Sequence, residues 1–325
     1  MTGPILVTGV AGFIGANVAR SLSRAGNRVV GCDRLGQGRK WRNLVDVGLH
    51  DIVTPEALPD WLAHHGAGLG GIVHMGAISA TTETDVDLIV RENVRATLDL
   101  WDFSTSAAVP LIYASSGAVY GDGALGFDDV ADSTALSRLR PMNAYGWSKL
   151  FVDRRIAADA ARGKTPPRWA GLRFFNVYGP GEDHKGDMRS VVAKLVPRIL
   201  DGEPARLFRS YRADVPDGGQ QRDFVHVDDV VAVILWLLDS PDARSGIYNV
   251  GTGEARTWRD LALAVFAALG REPAIEYVDM PETLRPTYQY FTQARTDRLR
   301  AAGWNAPFRS LEDGVRAFVE GRATD

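Results

Sequence analysis

Ile5-Leu-Val-Thr8-Gly-Val-Ala-Gly-Phe-Ile-Gly15 runs an apolar strand straight into three glycines, Gly9, Gly12 and Gly15, spaced G-x-x-G-x-x-G. Glycine tolerates the tight turn that such a loop requires and lets the backbone approach a pyrophosphate. A helix starting at Phe13 directs its N-terminal dipole at that charge. The stretch therefore predicts a Rossmann-type dinucleotide site with Gly9, Gly12, Phe13, Ile14 and Gly15 around the cofactor. A tight strand-to-helix turn with no ligand is the bland alternative, and the flanking apolar strand weighs against it.

Outward from that loop, β-rich runs alternate with helical patterns, which predicts a parallel sheet covered by helices on both faces. Strands are expected at Ile5–Thr8, 28–32, Gly71–His74, 110–114 and 169–173, with helices at 13–25, 55–65, 91–107 and 143–162. Pro166 and Pro167 must lie beyond the end of the last of these helices. Past residue 176 the alternation is lost. Helices are expected at 190–200 and 257–269, a mobile loop at 214–221, and a buried helix at 230–238 whose cap is Asp228 or Asp229. The fold class is thus α/β: a Rossmann-type doubly wound parallel sheet with a smaller, mainly C-terminal α/β substrate-binding domain. Residues 1–175 form the dinucleotide domain, 176–325 mainly the substrate domain, and 224–250 are a candidate return to the first.

Composition narrows the class further. The 325 residues are 45% apolar and 24% charged, enough for one large domain or two modest ones. A formal charge of −3 supplies no global argument for nucleic acid or membrane binding. The single cysteine, Cys32, rules out a disulfide within the chain and fits a reducing compartment. The longest apolar stretch, 230–238, is too short to span a bilayer, so a cytoplasmic protein is the expectation. No metal is expected.

Asp33 ends the second strand eighteen residues after Gly15, where an acid binds adenosine ribose hydroxyls. That favours NAD, yet Arg34, Arg39 and Lys40 follow and could hold a 2′-phosphate, so spacing leaves the phosphate state open. Met75, Gly76, Ala77, Ile78 and Ser79 follow the Gly71–His74 strand and would lie against the cofactor. Asn93 would stabilise that loop or touch the ribose.

Tyr145-Gly-Trp-Ser-Lys149 places a phenol and an ammonium on one face of a helix. Lowering a tyrosine pKa from about 10 by roughly three units requires about 4 kcal/mol of differential stabilisation. A lysine one turn away, reinforced by a positive nicotinamide ring, is an adequate source, and Lys149 would also bond the nicotinamide ribose. Tyr113-Ala-Ser-Ser-Gly117 follows an apolar strand, so its hydroxyls emerge at the carboxyl end of the sheet. Ser116 is the candidate to orient a substrate hydroxyl beside Tyr145; the competing reading is that Ser115 and Ser116 cap a turn. An alcohol carbon oxidised or reduced beside a nicotinamide is the chemistry these residues suit.

Thr8-Gly-x-x-Gly-Phe-Ile-Gly15, Ser115-Ser116, Tyr145-x-x-x-Lys149 and Arg173-Phe-Phe-Asn-Val-Tyr-Gly-Pro180 occur in the order of the extended short-chain dehydrogenase/reductase superfamily, which the chain resembles. His184-Lys-Gly186, Arg222-Asp-Phe-Val225 and Tyr288-Gln-x-Phe-Thr-Gln293 make it similar, over nearly its whole length, to the ADP-L-glycero-D-manno-heptose 6-epimerase family within it. That resemblance implies hydride removal from C6 of an ADP-heptose, turning of the aldehyde, and hydride return to its other face, for lipopolysaccharide core precursor synthesis. It implies NADP, with Lys40 and Arg34 near the 2′-phosphate and Val177 and Lys185 approaching the cofactor. It also assigns Tyr145 and Lys185 as acid/base groups on opposite faces of the carbon, since one base serves both faces poorly. Asn176, Phe208, Arg209, Arg222 and Tyr288 would contact the nucleotide sugar, with Arg222 as a diphosphate clamp. A homo-oligomer, pentameric in the best match, is also implied.

The chain departs from that family where Asp187 replaces a small serine, Lys194 replaces a histidine, and Phe208-Arg-Ser-Tyr211 replaces a Phe-Glu-Gly-Ser type of stretch. The loop before Arg222 is also longer. Asp187 and Lys194 are therefore candidate substrate contacts peculiar to this chain. Alternative activities are another nucleotide-sugar epimerase acting at C4, or a reductase, with the same cofactor site. A more distant alternative is a dinucleotide sensor without turnover.

Overall fold

The computed structural model describes residues 3–322 apart from 283, 286 and 287. Twelve strands are present among these residues: β1 Ile5–Thr8, β2 Val29–Cys32, β3 Leu49–Val53, β4 Gly71–His74, β5 Leu111–Ser116, β6 Trp169–Phe174, β7 Asn176–Tyr178, β8 Ala205–Phe208, β9 Gln221–His226, β10 Gly246–Val250, β11 Ala255–Thr257 and β12 Ile275–Val278. Seven of them form one sheet in the order β10-β6-β5-β4-β1-β2-β3, every neighbouring pair parallel. The order reverses at β1, which has β2 on one side and β4 on the other. Ligands of doubly wound sheets bind at that switch point, outside the carboxyl ends of the strands.

Period-two alternation sends the side chains of β1 to two different cores. Ile5 and Val7 pack with Val18, Leu22, Val230 and Ile234 beneath the Phe13–Arg24 and Val227–Asp239 helices. Leu6 packs with Ile72, Leu98, Trp101 and Ile156 on the other face. Both faces are buried, so these strands read as unbroken apolar runs. A third core joins Val192, Leu195, Leu261, Val265, Leu311 and Phe318 in the C-terminal half.

The chain leaves the main sheet at Phe175 and enters a small sheet ordered β11-β9-β7, while β8 and β12 pair separately. It returns through the Val227–Asp239 helix to β10, which pairs with β6 from Gly246↔Ala170 to Val250↔Phe174. No helix among the described residues is long and apolar enough to cross a membrane.

Several sequence expectations need correction. β3 has no counterpart among the expected strands, because it is an exposed edge strand without an apolar run. The helix expected from 55 starts at Leu58, with Pro55 in the preceding turn. The 91–107 pattern resolves into a π-helical turn at Val90–Arg95 and a helix at Ala96–Ala107, preceded by an α-helical turn at Val86–Ile89. The cap of the 227–239 helix is His226, whose ring Nδ1 accepts from Asp228 N at 3.2 Å. Asp228 and Asp229 instead serve Arg309. The 214–221 segment, expected to be mobile, is pinned by Gly218 N to Phe208 O at 3.1 Å and Ser210 N to Asp217 Oδ1 at 2.7 Å.

Candidate active site

At the end of β1, Gly9 turns the chain at φ 65°, and a Cβ there would lie 2.7 Å from Gly76 N. A Cβ on Gly15 would overlap the Gly9 carbonyl oxygen. The loop is closed against itself and against the β4 loop, with no room for side chains. Gly12 caps the Phe13–Arg24 helix without a side-chain bond, which leaves first-turn N–H groups without a protein side-chain partner. Asp33 braces the loop: its Oδ2 accepts from Ala11 N at 2.8 Å and its Oδ1 from Lys40 Nζ at 2.5 Å.

The β4 side is fixed by a buried relay. Thr97 Oγ1 donates to Asn93 O at 2.6 Å, so it must accept from His74 Nε2 at 2.9 Å. His74 is therefore the Nε2–H tautomer, and its Nδ1 accepts from Thr8 Oγ1 at 2.6 Å. Thr8 Oγ1 in turn accepts from Gly76 N at 3.1 Å. Burial, aided by the Lys149 charge, pushes the His74 pKa down to about 3, so the ring stays neutral.

Asn93 meets the first of its two expected roles, stabilising the loop. It is fully buried, accepting from Ile78 N at 2.8 Å and donating to Ile78 O at 2.9 Å and Ser148 Oγ at 3.1 Å. It holds the Met75–Ser79 loop and does not border the cavity, and both of its amide N–H groups are engaged.

Between these walls lies a cavity of ≈ 900 Å³. It is lined by Gly9, Gly12, Phe13, Ile14, Gly15, Asp33, Arg34, Lys40 and Met75 to Ser79, together with Tyr145, Lys149, His184 and Lys185. The volume falls within the range of ligand pockets, and a glycine-rich helix N-terminus opens onto it, so the residues present fit a dinucleotide.

Tyr145 and Lys149 enter the cavity from the Ala144–Ala161 helix, whose cap Asn143 accepts from Gly146 N at 2.8 Å. Lys149 Nζ sits 5.9 Å from the Tyr145 ring centroid. Burial pulls the Lys149 pKa down to about 8 against the opposing pull of Asp153. The expected depression of the Tyr145 pKa is not what the protein alone produces. Burial raises it, and the hydrogen bond with Ser116 offsets this only in part. The phenol is therefore protonated in the bare chain. Ser116 meets the turn-cap reading, its Oγ accepting from Ala118 N at 3.1 Å at the start of the Gly117–Tyr120 turn, and it is also hydrogen-bonded to Tyr145. Ser115 points the other way, to Asp153 Oδ2 at 3.1 Å.

Lys185 reaches the same cavity from the unrelated Asp183–Met188 turn. Its Nζ lies 3.7 Å from Glu182 Oε2 and 5.2 Å from the Phe13 ring centroid. Glu182 is buried and fixed by Ser190 N at 2.6 Å and Ser190 Oγ at 2.7 Å. Sequence reasoning missed this carboxylate, because nothing in Gly181-Glu-Asp-His distinguishes it from a surface acid.

The remaining candidates lie outside that cavity. Arg222 is buried between aromatic rings, 5.2 Å from the Tyr288 centroid and 5.7 Å from that of Trp258, and donates to the backbone carbonyls of Gln221 and Gln289. Tyr288 Oη accepts from Trp258 Nε1 at 2.9 Å and its ring meets Phe208 edge-on at 6.3 Å. Arg209 is exposed beside Asp217 and Asp279. The structure thus gathers Phe208, Arg222 and Tyr288, with Arg209 next to Phe208 in the chain. Asn176 and Val177 lie on β7 without bordering the cavity, Asp187 is exposed, and Lys194 is half-buried on the Val191–Leu200 helix.

A glycine cradle at the switch point, with a tyrosine, a lysine and a serine at the carboxyl ends of the same sheet, defines an enzyme of the nicotinamide-dinucleotide-dependent class. The model of the NAD dependent epimerase/dehydratase family matches residues 5–251, and the chain belongs to this family. It is 47% identical over 317 residues to the ADP-L-glycero-D-manno-heptose-6-epimerase of Nitratidesulfovibrio vulgaris, covering 97% of this chain and 96% of that one. Among solved structures it resembles the Helicobacter pylori enzyme of the same name, with TM-score 0.81 and 26% identity over 100% of this chain and 97% of the other. It also resembles the UDP-glucose 4-epimerase of Thermus thermophilus in complex with NAD, with TM-score 0.75 and 28% identity over 98% of each chain.

Proposed function

We propose that the protein inverts C6 of an ADP-linked glycero-manno-heptose, with a nicotinamide dinucleotide held in the ≈ 900 Å³ cavity. The observation that carries this reading is that Tyr145 and Lys185 enter one cavity from two unrelated elements, beside a cradle suited to a dinucleotide. The name of the relative at 47% identity supports the sugar and the position. When bound, the cofactor supplies a hydride acceptor that becomes the donor for the return step.

Gly9, Gly12 and Gly15 with the first turn of the Phe13–Arg24 helix would hold the pyrophosphate, and Asp33 the adenosine ribose. We assign NADP as the cofactor, with Lys40 as the partner of its 2′-phosphate. Lys149 and the Met75–Ser79 loop would hold the nicotinamide half. Tyr145 Oη accepts or returns the proton of the substrate hydroxyl, oriented by Ser116. The positive charge of Lys149 favours the phenolate, and a cationic ring would add to that effect. Lys185 Nζ performs the same proton transfer from the other side, held by Glu182. Phe208, Arg209, Arg222 and Tyr288 form the nucleotide end of the substrate site, with Asn176, Asp187 and Lys194 toward the sugar.

The test is incubation of the purified protein with ADP-D-glycero-D-manno-heptose, without added cofactor, followed by proton NMR of C6. Conversion to the L-glycero epimer is expected. Absence of conversion by protein that carries the dinucleotide would overturn the substrate assignment and leave the redox site standing.

A further inference from the structure

The outer end of the cavity is lined by Asp33, Arg34, Lys40, Arg91 and Glu92. Its cations are already engaged. Arg34 Nε donates to Glu56 Oε1 at 2.5 Å and its Nη1 to Glu92 Oε2 at 2.5 Å. Glu92 also accepts from Arg91 Nε at 2.9 Å, and Lys40 is bonded to Asp33 at 2.5 Å. The Glu92 side chain is only 12% exposed, while that of Glu56 is 61% exposed and that of Arg34 48%.

With Arg91 on Glu92, two guanidiniums and two carboxylates form a charge-balanced cluster in which Arg34 is held from both sides. A phosphate ester brought beside it gains no unpaired cation and must displace a carboxylate from donors already used, whereas a ribose hydroxyl can donate to a carboxylate without conflict. We propose that Glu56 and Glu92 are specificity-determining residues for the cofactor. By occupying Arg34 they blunt discrimination for a 2′-phosphate, leave its recognition to Lys40, and let the site accept NAD alongside NADP. The proposal rests on the dinucleotide assignment made above.

The experiment is calorimetric titration of nucleotide-stripped protein with NAD and with NADP, for the wild type, E56Q/E92Q, R34A and the triple variant. The wild type is expected to bind both. E56Q/E92Q should shift the Kd ratio toward NADP by about tenfold, because two negative charges leave the site and Arg34 is released. R34A alone should change NADP affinity by no more than about twofold, yet cancel the gain when added to E56Q/E92Q. E56Q alone, at an exposed position, should move the ratio the same way by a smaller factor, which keeps the idea testable if the double variant does not fold. A ratio that stays fixed or moves toward NAD would overturn the proposal, as would an R34A loss equal in both backgrounds. A wild type that binds neither nucleotide would overturn the dinucleotide assignment itself, and this inference with it.

Discussion

Tyr145 and Lys185 illustrate how much a side chain's role depends on what surrounds it. Tyr145 sits beside an ammonium, yet burial raises its pKa and the Ser116 hydrogen bond offsets this only in part. Removing its hydroxyl in Tyr145→Phe is expected to lower turnover by at least about a hundredfold, the lower end of general acid/base contributions, in the NMR assay of C6 inversion. Lys185→Ala is expected to abolish inversion while the absorbance and fluorescence of bound cofactor persist. Near-normal turnover of that variant would remove Lys185 from the chemistry. The pattern Tyr-x-x-x-Lys was legible in the chain because both residues share one helical face. Lys185 was not legible from pattern, since a lysine in a polar turn looks like any solvated lysine. Its placement against Phe13 and Glu182 is a contact between segments about 170 residues apart in the first case and three in the second.

Whole elements carry the site by their ends. The Ala144–Ala161 helix presents Tyr145 in its first turn because Asn143 caps it at 2.8 Å. Asn143→Ala is expected to cost about 1 kcal/mol of stability, read from urea denaturation, with reduced turnover as the first turn frays. The end of the Ala144–Ala161 helix followed from sequence because Pro166 and Pro167 lie beyond it, whereas Pro55 did not mark the start of the Leu58–His65 helix. The π-helical turn at Val90–Arg95 is a second departure. It presents the Asn93 amide to the Ile78 backbone, so Asn93 serves the loop rather than the ligand. β3 is another, being an exposed edge strand whose residues carry no buried face.

At the scale of the molecule, buried titratable groups tie stability to pH. His74 and His226 have pKa values pushed down to about 3 and about 4, chiefly by burial. Both are neutral in the fold and take up protons more readily when unfolded, at an ordinary value near 6.5. Their stabilising effect is full above about pH 6.5 and is lost as pH falls toward 3–4. Urea midpoints measured from pH 7 to pH 4 should therefore decline, and His74→Gln should flatten the decline. A slope unchanged by that substitution would show that His74 is not a source of it. A second whole-molecule feature is the fully buried Arg173–Asp153 pair at 2.9 Å, which also gathers Tyr113, Ser115 and Tyr120 beneath the Ala144–Ala161 helix.

The linear chain already contained the sheet and the cofactor cradle, because these depend on short-range facts. Apolar runs bury on both faces, glycine alone fits the loop, and the tyrosine–lysine spacing matches one helical turn. What lay beyond it was set by packing across distant segments. The register of Gly246–Val250 against β6, the enclosure of Arg222 between Trp258 and Tyr288, and the engagement of Arg34 by Glu56 and Glu92 all join residues far apart in sequence. Burial and charge pairing arise only when such segments meet, and they decide which carboxylate each basic residue of the cavity faces: Asp33 for Lys40, Glu182 for Lys185, Glu56 and Glu92 for Arg34.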